Sequence, residues 1–250
     1  MTALRFQNLT LGYDRHPAVH HLDGAVEDGS LTAVVGPNGA GKSTLFKGIM
    51  GTLKPLAGAI ERNGFAARDI AYLPQAAEID RSFPINVYDM VAMGLWRTKG
   101  LFGGIARTDR AVIEAGIAAV GLTGFENRAI GTLSGGQMQR MLFARLVVQD
   151  ARIIVLDEPF SAIDQKTAAD LLRLVRRWHG ERRTVIAASH DIEMVRANFP
   201  RTLLLAREPV AWGATREVLT PDNLARAHRM CEAFDEAAEA CASETASEAA

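Results

Sequence analysis

The segment Leu31-Thr32-Ala33-Val34-Val35-Gly36-Pro37-Asn38-Gly39-Ala40-Gly41-Lys42-Ser43 joins an apolar run to a glycine-rich turn. The run reads as a buried strand and the turn as its end. Beyond it, Ser43–Met50 has helix-compatible apolar spacing at Leu45, Ile49 and Met50. Gly36–Ser43 fits G-x-x-x-x-G-K-[ST] in the strand-to-helix context that the pattern needs to hold phosphate. Glycines let backbone N–H groups approach an anion closely, and the helix N-terminus adds positive potential. Lys42 would reach the β- and γ-phosphates of a nucleotide, and the Ser43 hydroxyl would ligate Mg²⁺. Under average composition the bare pattern arises by chance in roughly one chain of this length per hundred. The flanking strand and helix make it rarer still.

Outward from this loop, Leu4–Leu9, Ile70–Leu73, Ile153–Leu156, Val185–Ala188 and Thr202–Leu205 read as strands. From about Ala76 to Asp150 the pattern turns helical, as in Val87–Met93 and Ala111–Val120, with a loop at Gly100–Gly104. Strands separated by helical patterns predict parallel pairing with crossover helices. The fold class expected is therefore α/β with a mostly helical insert.

Two further motifs carry chemistry. Ile153–Asp157 is an apolar strand ending in a carboxylate, with Glu158 next to it. Strand C-termini are where open α/β sheets gather ligands. Asp157 could hold Mg²⁺ through water, and Glu158, pointing differently, could polarise an attacking water. Upstream, Leu133-Ser134-Gly135-Gly136-Gln137 precedes a helical pattern over Met138–Val148. Ser134 is a natural N-cap, and the glycine pair leaves a helix N-terminus open to an anion.

Together these motifs resemble the nucleotide-binding subunit of an ABC transporter, over about residues 3–220. Gly36–Ser43 is similar to that family's Walker A loop, Ile153–Asp157 with Glu158 to its Walker B segment, and Leu133–Gln137 to its signature. Gln75 resembles the Q-loop glutamine, Ser161-Ala162-Ile163-Asp164 the D-loop, and His190 in Ser189-His190-Asp191 the switch histidine. Tyr13 stands where the family places an aromatic that stacks on adenine. The resemblance implies a P-loop NTPase (RecA-like) core with an antiparallel β edge over about 1–75 and 152–215, and a helical subdomain over about 76–151. It implies ATP held by Tyr13, Gly36, Pro37, Asn38, Gly39, Ala40, Gly41, Lys42, Ser43 and Thr44, with Mg²⁺ at Ser43, Gln75 and Asp157. Glu158, His190, Lys42 and Gln75 would serve hydrolysis. Ser134, Gly135, Gly136 and Gln137 would complete the nucleotide site of a second subunit in a head-to-tail homodimer.

In that family the power stroke reaches integral membrane permease subunits, and through them a periplasmic or extracellular solute-binding protein. The stretch Phe83-Pro84-Ile85-Asn86-Val87, continuing to Asp89, Met90, Val91, Met93 and Gly94, resembles importers of zinc or manganese. Haem, siderophore and cobalamin importers are similar. Packing of an amphipathic helix accounts for Val87 and Val91. The implied function is ATP hydrolysis that energises import at the cytoplasmic face of the inner membrane. A soluble ABC ATPase of repair or translation fits less well. Repair ATPases separate their motifs with long coiled coils, and translation ATPases carry two cassettes.

Composition agrees with a globular protein: 48% hydrophobic and 23% charged residues, formal net charge −1. The sum conceals an imbalance. Residues 231–250 hold six carboxylates and no Lys or Arg, so residues 1–230 carry 28 basic against 23 acidic residues. The acidic, alanine-rich end reads as a fraying helix or flexible tail. No basic aromatic stretch suggests nucleic acid. Two late cysteines, Cys231 and Cys241, suit a reducing cytoplasm, and no apolar run approaches the roughly 18 residues of a membrane span. His16, His20 and His21 in one expected loop, and His228 with Cys231 at helical i, i+3 spacing, could hold metal. Surface histidines and an ordinary thiol are the plainer reading.

Overall fold

A computed structural model describes residues 1–14, 16–100 and 104–236; the acidic residues 237–250, with Cys241, lie outside the described residues. The chain forms two sheets. β1 (Thr2–Tyr13), β2 (His16–Glu27) and β4 (Ala57–Glu61) make an antiparallel sheet in the order β2-β1-β4. The second sheet has the order β5-β6-β7-β3-β8-β9. Its members are β3 (Leu31–Val35), β5 (Ile70–Leu73), β6 (Ile153–Asp157), β7 (Thr184–Ser189), β8 (Arg201–Ala206) and β9 (Glu208–Ala214). Only β9 runs antiparallel, on the edge. β3 lies in the middle, between β7 and β8.

Every residue of β3, β6 and β7 is buried, as expected of parallel strands covered on both faces. Successive side chains serve opposite layers. Val34, Val155, Ile186 and Leu203 pack against Leu4, Phe6 and Leu9 of the antiparallel sheet and against Leu45, Phe46 and Ile49 of helix α1 (Lys42–Met50). Val35, Leu156, Ala187 and Leu204 face the other way, into a core shared with the helices.

Those helices include α2 (Val87–Ala92), α3 (Trp96–Lys99), α4 (Arg107–Ala119) and α5 (Gly135–Gln149). Val87 and Val91 have no exposed surface, so the packing account of both holds. Gly94 lets the turn after α2 come close to α5: a Cβ there would stand 2.6 Å from the Arg145 carbonyl oxygen. Beyond them follow α6 (Gln165–Gly180), α7 (Ile192–Asn198), α8 (Thr215–Val218) and α9 (Pro221–Glu236). Phe143 of α5 stacks on Trp178 of α6 with ring centroids 5.7 Å apart and planes 4° from parallel. The stack adds about 1 kcal/mol to the burial of both rings. None of the described helices is long and apolar enough to cross a membrane.

The structure corrects one expectation and extends another. His16, His20 and His21 lie on β2, not in a loop. Bulges interrupt the β1–β2 register, so the strand never shows a clean period of two. Residues 231–236 finish a helix that starts ten residues earlier, at Pro221. Pro221 suits the first helical position, and the Thr220 hydroxyl accepts the Asn223 N–H at 3.3 Å. Among the described residues, no three of His, Cys, Asp and Glu are grouped to hold a metal.

Candidate functional site

The central strand β3 ends at Gly36, and its geometry excludes any side chain there. A Cβ on Gly36 would lie 2.0 Å from the Leu205 carbonyl oxygen of β8. Gly41 sits at φ 92°, and a Cβ there would meet the Ala18 carbonyl oxygen at 2.3 Å. The two glycines thus let the loop turn between strands and enter α1. Lys42 folds back across this loop: its Nζ donates to the carbonyls of Gly36 at 2.8 Å and Pro37 at 2.9 Å. Burial lowers the Lys42 pKa, opposed by the negative potential of Glu158, Asp157 and, from α9, Cys231.

One helical step on, the Ser43 hydroxyl accepts from Gln75 Nε2 at 3.4 Å. Gln75 follows the end of β5, and Asp157 closes the neighbouring β6. Asp157 is fully buried; its Oδ2 accepts the Tyr72 hydroxyl at 3.3 Å, whereas Oδ1 has no hydrogen-bond partner. Burial raises the Asp157 pKa, partly offset by the nearby polar groups of Ser43, Gln75 and Tyr72. Desolvation and the neighbouring Asp157 charge push Tyr72 strongly upward. A buried carboxylate oxygen without a partner, beside a hydroxyl and an amide, is a donor set that suits a hard divalent cation.

Glu158 turns away from Asp157 because its backbone is left-handed, at φ 49°. Its Oε2 accepts the Ser161 hydroxyl at 3.0 Å and stands 3.7 Å from His190 Nδ1. Glu158 is mostly buried, while the His190 side chain is 60% exposed. An acceptor facing an open imidazole can orient a water and receive its proton. Gly36, Pro37, Asn38, Glu158, His190 and, from α9, His228 border one cleft of about 470 Å³.

Ser134 to Gln137 stand apart from that cleft. Ser134 caps α5 reciprocally: its hydroxyl accepts the Gln137 N–H at 3.3 Å, and its own N–H donates to Gln137 Oε1 at 3.0 Å. Gly135 lines a different cleft, with Arg81, Ser161 and Ala162. Gln139 ties this helix to the end of β6, donating to the Pro159 carbonyl at 2.8 Å. Asp164 caps α6 through the Thr167 N–H at 2.9 Å. Tyr13 ends β1 half exposed, its ring 5.8 Å from Lys47 Nζ.

The structure thus brings Lys42, Ser43, Gln75, Asp157, Glu158 and His190 together, whereas Gly135 of Ser134–Gln137 lines a separate cleft. Sequence reading missed Tyr72, Ser161 as the partner of Glu158, and His228 as a wall of the cleft. No local pattern marks Tyr72, and the spacing of His228 and Cys231 points to metal, not to this cleft. Ser161 lay inside a recognised segment, but its bond to Glu158 depends on the turn at Glu158.

The family model for ABC transporters matches residues 19–161. The manganese transport system ATP-binding protein MntA of Synechocystis sp. is 38% identical, over 83% of this chain and 82% of its own. The zinc transport system ATP-binding protein TroB of Treponema pallidum is 36% identical, over 90% of this chain and 86% of its own. Among solved structures, an ABC transporter assigned to the metal-chelate type, in an inward-facing conformation, aligns with a TM-score of 0.81. It shares 31% sequence identity, over 92% of this chain and 90% of that one.

Proposed function

The chain belongs to the ABC transporter family as an ATP-binding ATPase subunit, and from that membership we propose that it energises an importer of zinc or manganese ions. The observation that carries the reading is the grouping of Lys42, Ser43 and the unpartnered Asp157 oxygen beside the Glu158–His190 pair. The names of the relatives support the cargo.

In this reading ATP lies along Gly36–Thr44 with its adenine on Tyr13. Lys42 leaves the Gly36 and Pro37 carbonyls for the β- and γ-phosphates. Ser43, Gln75 and Asp157 would hold Mg²⁺, which neutralises charge on the phosphate oxygens when bound. Glu158 takes the proton of the attacking water, and His190 and Ser161 keep its carboxylate in place. Ser134, Gly135, Gly136 and Gln137 meet the nucleotide of a second subunit, which explains their distance from the cleft of their own chain. Residues 76–151 act as a helical subdomain against the membrane permease, at the cytoplasmic face of the inner membrane. The exposed Phe83 and Trp96 support that surface. A solute-binding protein delivers the ion on the far side. A chelated-metal cargo is the second reading, favoured by the likeness to the metal-chelate type transporter.

The test is growth of a deletion strain in metal-depleted medium with single metals restored. The wild-type chain should restore growth with zinc or with manganese, and Glu158→Gln should not. Rescue by Glu158→Gln, or by a chelated metal alone, would displace the reading.

A further inference from the structure

Helix α9 puts a stripe of side chains against the phosphate loop. Leu224, Ala227 and His228 line the cleft that Asn38, Glu158 and His190 also line. Cys231 extends the stripe at the i, i+3, i+4, i+7 spacing of one helical face, and both it and Ala227 are buried in the core. The apolar members fix the helix in place. His228 remains exposed and borders the open space. Of its polar lining, Glu158 and His190 are the pair proposed above to act at the terminal phosphate. On the nucleotide reading this space takes the γ-phosphate, and His228 borders it with a ring N–H.

We infer that His228 is a further nucleotide-contact residue, one that donates to the terminal phosphate of ATP and so helps the site distinguish ATP from ADP. The inference rests on the nucleotide reading of this cleft. It gives the C-terminal helix a direct part in sensing the nucleotide, separate from the motifs that surround the phosphate loop. ADP, held through the loop and the start of α1, leaves the His228 end of the cleft without a partner.

Equilibrium binding of ADP and of the non-hydrolysable ATP analogue AMP-PNP to the full chain tests it. His228→Ala should weaken AMP-PNP binding about ten-fold or more, the effect of one hydrogen bond to a charged group, and leave ADP binding within about two-fold. His228→Gln, which keeps a donor, should recover most of the loss. Because the side chain is exposed, both variants should unfold at the wild-type temperature. Equal weakening of both nucleotides would mean that the substitution acts through the packing of α9, and no weakening would remove the contact; either result overturns the inference. Lys42→Ala separates the two levels. If it binds both nucleotides like the wild type, the nucleotide site itself is wrongly placed. If it loses them while His228→Ala does not, only the role of His228 fails.

Discussion

Glu158 occupies a left-handed backbone conformation that costs a residue with a Cβ about 1–2 kcal/mol. The return is direction: two adjacent carboxylates leave the same strand end toward different partners, Asp157 toward Ser43 and Tyr72, and Glu158 toward Ser161 and His190. Such strain gathers where a functional site over-determines a residue. Ser161→Ala should therefore release the Glu158 carboxylate without touching the phosphate loop. ATPase kinetics should show kcat reduced about ten-fold, near 1.4 kcal/mol of lost positioning, with KM for ATP within about two-fold. An equal fall in kcat/KM through KM alone would mean that Ser161 serves binding. The pair Asp157-Glu158 was legible as chemistry because two carboxylates after a buried strand are unusual. The turn that parts them was not, since no neighbouring residue type signals a left-handed glutamate.

Elements were legible where one physical signal dominated. β3, β6 and β7 are continuous apolar runs because both faces are buried, and α1 and α5 begin at the glycine and serine that the sequence marks. β2 was hidden by bulges and by its three histidines, and β4 by an Ala-Gly-Ala start with little to bury. The helical insert shows a cap that can be tested. Asn86 precedes α2, and its side-chain oxygen accepts the Asp89 N–H at 2.8 Å. Asn86→Ala should cost about 1 kcal/mol and lower the melting temperature by about 2–4 °C in calorimetry, with ATP binding unchanged. α9 was readable in principle from Thr220-Pro221 and the stripe Leu224, Ala227, His228 and Cys231. The acidic residues after Cys231 mask it, because charge content says little about where a helix starts.

At the scale of the molecule, Gly135 beside Ser134 lines a cleft other than the one bordered by Gly36, Glu158 and His190. On the reading proposed above, a single chain holds two halves of a site that a second copy joins. Glu158→Gln should convert this into a visible assembly: size-exclusion chromatography in ATP should give a stable dimer, and in ADP a monomer. A variant that stays monomeric in ATP would remove the shared-site arrangement. The central place of β3 has a consequence for biosynthesis. Leu31 pairs with Val185, and Thr32 with Arg201, so both neighbours of the phosphate-loop strand come from the last third of the chain. Pairings so distant in sequence raise contact order and delay folding until the late strands exist. A nascent chain on the ribosome carries its whole phosphate loop early, yet has no framework to hold the loop in shape until β8 emerges. A chain truncated before β8 should therefore bind ATP far more weakly than the full chain.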